Sequence, residues 1–344
     1  MLAPLSIVCA ARGHSLGKRE RTLRLHHECA RVGACEEFMK HDPEQSPYYS
    51  ELGRLSFSPG WARPEPSMWP EPKPKFKPAV WRFADAKRAL DASHNMVPAE
   101  QTERRNLILV NPIEGNTYAS TRHLVAAYQC VMAGEMARSH RHSAAALRLV
   151  LQAKPGTYTV VNGARVEMAA GDVVLTPAWK WHGHVNDSDA TSYWIDFLDI
   201  PFVQLTEAMF FEPYPEGGLE PITSEGSTPL RIPSDEALGP GRESKEIEIG
   251  KDVMPTIGLH LLRQPAGGRI DVAKTTANNI YAAISGHPQF EIEGGFSASL
   301  SPGDVIAVPS WHQHSIEMPD DATIFRVSDA PILEKLGLMK TASN

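Results

Sequence analysis

The chain has 344 residues, 42% apolar and 22% charged, enough for one large core or two modest ones. A formal net charge of −7 leaves no basic footprint for nucleic acid, so an anionic substrate would be held by local arginines against the overall field. No run approaches the roughly 20 apolar residues of a membrane span, and the cysteines at 9, 29, 35 and 130 are too scattered for a disulfide framework and suit a reducing cytoplasm.

Leu2 to Ala11 is apolar but short and lacks a basic lead-in, so it reads as a flexible start and not as a signal peptide. His26, His27, Cys29 and Cys35 offer zinc-ligand types, but Cys-x5-Cys fits zinc spacings poorly. A helical arm with incidental thiols is the expectation there. Proline and tryptophan crowd Ser58 to Pro78, which excludes a regular helix and predicts an extended arm. Residues 82–95 read as a helix. Residues 1–95 are therefore expected to form a partly helical, Pro-rich N-terminal arm.

From about Asn106, short β-rich runs alternate with turn signals. The run 157–168 predicts two strands around an Asn162-Gly163 hairpin. A turn at Gly171-Asp172 follows, then a strand stopped by Pro177. Many short strands with regular turns predict an all-β barrel or sandwich. The run "GDVVLTPAWKWHGH" (171–184) is echoed by "GDVIAVPSWHQH" (303–314), an offset the size of one small β domain. Two related domains are expected, at 96–211 and 253–344, joined by a Pro-, Gly- and Ser-rich linker at 212–252. Ile332 to Met339 reads as a short closing helix.

His140 and His142 stand two apart in a predicted strand, so both imidazoles leave one face and can share a metal. His182 and His184 form a second such pair. The spacings resemble the two motifs of the cupin family, Gly-x5-His-x-His and Gly-x5-Pro-x-Gly-x2-His-x3-Asn. They are met at Gly134, His140 and His142, then at Gly171, Pro177, His182 and Asn186, with Trp179 in place of the middle glycine. The resemblance implies double-stranded β-helix (jelly-roll) barrels with one metal inside. Most cupins add a glutamate after the first pair, where this chain has Ser143-Ala144-Ala145-Ala146. Three neutral imidazoles, His140, His142 and His182, are then expected to hold the ion. Imidazole suits Fe, Zn, Cu and Ni. The uncompensated charge and open positions argue for Fe(II) with a chelating anion and O2 over a closed structural zinc. His184 is expected to accept a proton from bound substrate or hydrogen-bond it. The second copy has no histidine pair in 272–286, and His312 and His314 remain alone, so the C-terminal barrel is expected to be metal-free.

The stretch 135–187, with "VPAEQTERRNLILVNP" (97–112), Gln129 and "YWIDFLDIP" (193–201), resembles the gentisate 1,2-dioxygenase group, which includes salicylate-type and 1-hydroxy-2-naphthoate dioxygenases. The resemblance covers roughly residues 75–330. It implies an all-β bicupin that is iron-dependent and commonly tetrameric, with Fe(II) in one barrel, here the N-terminal one. It also implies opening of the C1–C2 bond of a 2-hydroxybenzoate with both atoms of O2. The partners expected are a small aromatic hydroxy acid and O2, in a cytoplasmic homotetramer. Arg148, six residues after His142 and on the same face, can pair with the substrate carboxylate in a fork. Arg104 matches a second active-site arginine of the family, and Gln129 can hydrogen-bond the substrate. Asp196 matches a position near the pocket and could orient Arg148 or His184. Val125 and Ala127 are expected in the pocket wall, and Val125 stands where the family usually carries Trp or Tyr. That loss widens the pocket, so a 5-substituted salicylate (nitro or halogen) or gentisate is expected. A 1-hydroxy-2-naphthoate dioxygenase remains open. So do a cupin isomerase, a thiol or diketone dioxygenase with another metal, and a non-catalytic sensor.

Overall fold

The structure is a computed structural model that describes residues 47–63, 65–94, 96 and 105–342. The zinc-ligand types at 26–35 and the apolar start lie outside the described residues. The chain forms two compact units, 1–70 and 71–344. In the first, α1 (Pro47–Arg54) is followed by a single 3-10 turn at Gly60–Ala62. No helix among the described residues is long and apolar enough to cross a membrane.

The second unit opens with β1 (Ala79–Trp81) and α2 (Phe83–Ser93), the helix expected at 82–95. The first barrel then runs through β2 (Arg105–Ile108), β3 (Val125–Val131), β4 (Met136–His142), β5 (Ala146–Gln152), β6 (Thr157–Val161) and β7 (Ala164–Glu167). It closes with β8 (Asp172–Thr176), β9 (His182–Asn186) and β10 (Ser192–Leu198). The Asn162-Gly163 turn forms as expected: Val161 pairs Ala164, and both turn residues have positive φ, 50° and 80°. After α3 (Ile200–Leu205), the stretch expected as a linker carries β11 (Phe211–Pro213), β12 (Arg231–Pro233), α4 (Ser234–Leu238) and β13 (Lys245–Ile249). β11 pairs β4, β12 pairs β8, and β13 pairs the first strand of the second barrel. Its prolines and glycines punctuate short edge strands, where missing donors cost least.

The second barrel comprises β14 (Gly258–Gln264), β15 (Arg269–Val272), β16 (Asn279–Ser285), β17 (Gln289–Ile292), β18 (Phe296–Ser299), β19 (Val305–Val308), β20 (His314–Glu317) and β21 (Ala322–Ser328). The final helix, α5, occupies Ala330–Lys335, starting two residues before the expected one and stopping four short of it.

Each barrel pairs a six-stranded sheet with a smaller one. The large sheets run β12-β8-β5-β10-β3-β2 and β1-β19-β16-β21-β14-β13, and the small ones β11-β4-β9-β6-β7 and β15-β20-β17-β18. The two large sheets match strand for strand, so the sequence echo is a structural repeat. One core joins them, with Ala126, Tyr128, Ile195 and Phe197 from the first barrel and Leu259, Leu261, Phe325 and Val327 from the second. Phe197 meets Phe325 edge to face at 5.8 Å. Strands of the large sheet are thus buried on both faces, which explains the unbroken burial of β3 and the burial of β5 and β10 up to their last residues, where simple alternation would predict one wet side. The other face of β3, β5, β8 and β10 looks into the first barrel. There Val131, Val150, Val161, Val166, Met168, Val174 and Trp194 fill one part of the interior.

Candidate metal centre

β4 supplies His140 and His142, and β9 supplies His182 and His184. The strands pair with His140 opposite His182, and the register slips between Ala137 and His140. Such irregularities re-aim side chains next to sites. Gly183 lies between the two histidines of β9. A Cβ there would come within 2.7 Å of the Leu219 and Ser139 side chains and 3.0 Å of the Ala137 carbonyl, so any larger residue would make its neighbours shift.

His140, His142 and His182 converge, all buried, with one candidate ligand nitrogen from each within 4.8 Å of the others. The ring centroids are 4.2 Å apart for His140–His182, 4.9 Å for His142–His182 and 5.6 Å for His140–His142. Their tautomers follow from their neighbours. Nδ1 of His140 faces the carbonyl of Arg138 at 3.1 Å, that of His142 faces Ala144 at 2.8 Å, and that of His182 faces Lys180 at 3.0 Å. A carbonyl only accepts, so each Nδ1 carries the proton and donates it. The lone pair is left on Nε2 in all three rings, the arrangement that fixes a metal-binding imidazole. Nε2 of His182 is buried with no hydrogen-bond partner, a costly state that a cation relieves. Burial, with the Arg148 guanidinium nearby, holds His182 well below the usual imidazole range and therefore neutral. The donor set fits a transition-metal ion with three imidazole ligands.

The remaining expected residues fall into two groups. His184 is buried but stands outside the triad, 6.2 Å from His182 and 5.3 Å from the ring of Trp194. Arg148 and Asp196 pair across β5 and β10, with Nε 3.1 Å from Oδ1. The Nη1 of Arg148 donates to Oγ1 of Thr176 at 2.7 Å. The Nε1 of Trp194 donates to the other oxygen of Asp196 at 3.2 Å. Val125, Ala127 and Gln129 alternate along β3 on the face shared with these groups: Ala127 lies opposite Asp196 and Gln129 opposite Trp194. Gln129 is 1% exposed, and its amide nitrogen has no hydrogen-bond partner. Arg104 lies outside the described residues. Its neighbour Arg105 is buried and paired with Glu135 at 2.6 Å.

Three contributors escaped the sequence reading. Thr176 and Trp194 hold Arg148 and Asp196, and Phe211 of β11 stacks on His140 at 5.2 Å with a 23° tilt. Phe211 gave no motif signal. Thr176 could have been found by comparing the two copies of the repeat.

That comparison also sets the register of the repeat. Both Trp179 and Trp311 sit at positive φ, 65° and 62°, and each donates its N–H to the strand that bears the first histidine pair or its counterpart: Trp179 to the carbonyl of His142, Trp311 to that of Thr275. Counting from these tryptophans, His314 opens β20 as His182 opens β9, and Ile316 stands at the place of His184. His314 is thus the counterpart of His182, and the position of His184 carries no imidazole in the second barrel. The imidazole of His314 bonds Tyr281 Oη at 2.8 Å.

Known proteins place the chain. The cupin domain model matches residues 127–198. A gentisate 1,2-dioxygenase 1 of Aquipseudomonas alcaligenes is 31% identical, covering 88% of this chain and 97% of its own length. A 5-aminosalicylate 1,2-dioxygenase of Comamonas sp is 27% identical over 85% of this chain and 88% of its own. The crystal structure of a salicylate 1,2-dioxygenase from Pseudaminobacter salicylatoxidans superposes with a TM-score of 0.80 at 30% identity, covering 88% of this chain and 99% of that one.

Proposed function

This chain belongs to the gentisate and salicylate 1,2-dioxygenase family of bicupins, and from that premise we propose that it opens the C1–C2 bond of a 2-hydroxybenzoate with O2. The observation that carries the reading is the set of three Nε2 lone pairs, each fixed by a backbone carbonyl behind the ring and aimed at one point. We assign the ion as Fe(II), one per subunit, on His140, His142 and His182. Bound there with no carboxylate ligand, iron(II) supplies a chelation point for an anionic substrate and the electron relay to O2.

The chain's own groups do the rest. Arg148 receives the substrate carboxylate, and Asp196 and Thr176 keep its guanidinium from turning. Gln129 offers a buried amide donor to a substrate oxygen. His184 accepts the phenolic proton, with the edge of Trp194 holding its ring in place. The apolar half of the barrel around Val131, Val150 and Val174 keeps water from the opened ring. Small side chains at Val125 and Ala127 leave room for a ring substituent, which supports gentisate or a 5-substituted salicylate such as 5-nitro- or 5-halosalicylate. The proposal extends to a cytoplasmic homotetramer. It rests on the sparse cysteines and on the family resemblance.

Oxygen uptake and product mass test it, using Fe(II)-loaded protein with gentisate, salicylate, 5-nitrosalicylate and 1-hydroxy-2-naphthoate. A ring-opened product carrying both oxygen atoms is expected from at least one of the first three. Zinc or manganese in the purified protein with no oxygen uptake would overturn the reading.

A further inference from the structure

We infer that Thr176 is a positioning residue for carboxylate recognition, a role that deepens and rests on the 2-hydroxybenzoate reading. Its hydroxyl is fully buried at the end of β8, one residue before the proline of the second cupin motif, and it accepts from Arg148 Nη1 at 2.7 Å. The ion pair with Asp196 reaches the same guanidinium through Nε at 3.1 Å. Two contacts on different nitrogens set the plane of the fork, and bidentate recognition depends on that plane.

The second barrel acts as an internal control. β5 corresponds to β16 and β8 to β19. Ala146 faces Thr176 and Arg148 faces Val174 in the first barrel, and Asn279 faces Val308 and Tyr281 faces Ile306 in the second. Tyr281 therefore stands where Arg148 does, and Val308 where Thr176 does. The barrel without the arginine also lacks the hydroxyl, although valine and threonine have the same shape and both positions are fully buried. A threonine kept only to fill space would have no reason to follow the arginine. The methyl-for-hydroxyl difference has a reason where a guanidinium must be oriented, because an aliphatic side chain offers it no acceptor.

The test compares Thr176→Val with Thr176→Ser in Fe(II)-loaded protein. Dissociation constants for salicylate and for salicylamide, which lacks the carboxylate, are measured by anaerobic calorimetry beside metal content, and KM against kcat is measured separately with O2 present. Thr176→Val is expected to weaken salicylate binding about ten-fold, the scale of a hydrogen bond to a charged group. It should leave salicylamide binding and iron content unchanged and raise KM more than it lowers kcat. Thr176→Ser should restore salicylate binding. Equal losses for both ligands, or a serine variant as defective as the valine one, would mean a packing role and overturn the inference alone. Wild-type protein that binds no 2-hydroxybenzoate would instead sink the functional reading, and this inference with it.

Discussion

Asp196 joins two groups that the sequence separates: its Oδ1 lies 3.1 Å from Arg148 Nε, and its Oδ2 accepts from Trp194 Nε1 at 3.2 Å. Both charged side chains are nearly enclosed, 2% exposed for Arg148 and 11% for Asp196. Removing one partner of such a pair leaves an uncompensated charge in a poorly solvated site, typically at a cost of about 3–5 kcal/mol. Asp196→Asn is expected to lower the urea midpoint and raise KM for a 2-hydroxybenzoate. Trp194→Phe keeps most of the ring contact with His184 but removes the N–H, so a smaller loss, about 1 kcal/mol, is expected. A Trp194→Phe loss as large as that of Asp196→Asn would show that ring packing, not the hydrogen bond, is what matters.

His142→Ala removes one of three converging imidazoles, and a two-imidazole remnant binds iron weakly. Iron content and turnover should both collapse. Turnover retained in this variant would contradict metal catalysis.

Trp179 adopts a left-handed backbone at φ 65° while its N–H is bonded to the His142 carbonyl at 2.8 Å. Glycine takes that conformation freely and keeps the donor, whereas proline does neither. Trp179→Gly should therefore retain iron and fold, and Trp179→Pro should lose iron. Equal metal content in the two variants would show that this backbone bond does not position His142.

Burial pushes His314 down to about 4 from the usual imidazole range, with the fields of Arg326 and His312 acting in the same direction. The folded barrel holds the ring neutral beside Tyr281, while the unfolded chain takes up a proton near 6.5. The unfolded state thus binds more protons in that window, and stability falls as pH drops from about 6.5 to about 4. The contribution is at most about 3 kcal/mol. Urea midpoints at both ends of the window should differ less in His314→Gln than in wild type. An identical pH slope in the variant would place the acid sensitivity elsewhere.

Cys130 is buried on the face of β3 that packs between the barrels, and burial pushes its thiol up to about 12. Thiolate is the reactive species, so the native protein should resist alkylation at Cys130 near neutral pH. Peptide mapping after iodoacetamide should find Cys130 unlabelled until denaturant is added.

Much of the site was legible because strand periodicity and motif spacing are local. His140, His142 and His182 needed only the alternation of side chains and the fixed turns at Gly134 and Gly171. The Asn162-Gly163 hairpin needed only backbone preference. The repeat was legible because its Gly-Asp, Pro and Trp positions recur at one spacing in both copies. In the 212–252 stretch, β11 and β12 have three residues each, too few to show a period, whereas the alternation of β13 was there to be read and was outweighed by the surrounding Pro and Gly.

The chain's local order was enough to establish the barrel class and the three imidazoles, since each follows from motifs of residues a few positions apart, and the echo of 171–184 at 303–314 pointed to the doubling. Folding established the rest: which nitrogen each imidazole presents, the hold of Thr176 and Trp194 on the Arg148–Asp196 pair, and the strap of Phe211 over His140. The Arg148–Thr176, Arg148–Asp196 and His140–Phe211 contacts join strands that are far apart in sequence and depend on register and barrel closure, while the imidazole and Trp194 contacts span two residues but depend on side-chain rotamers that no local pattern records.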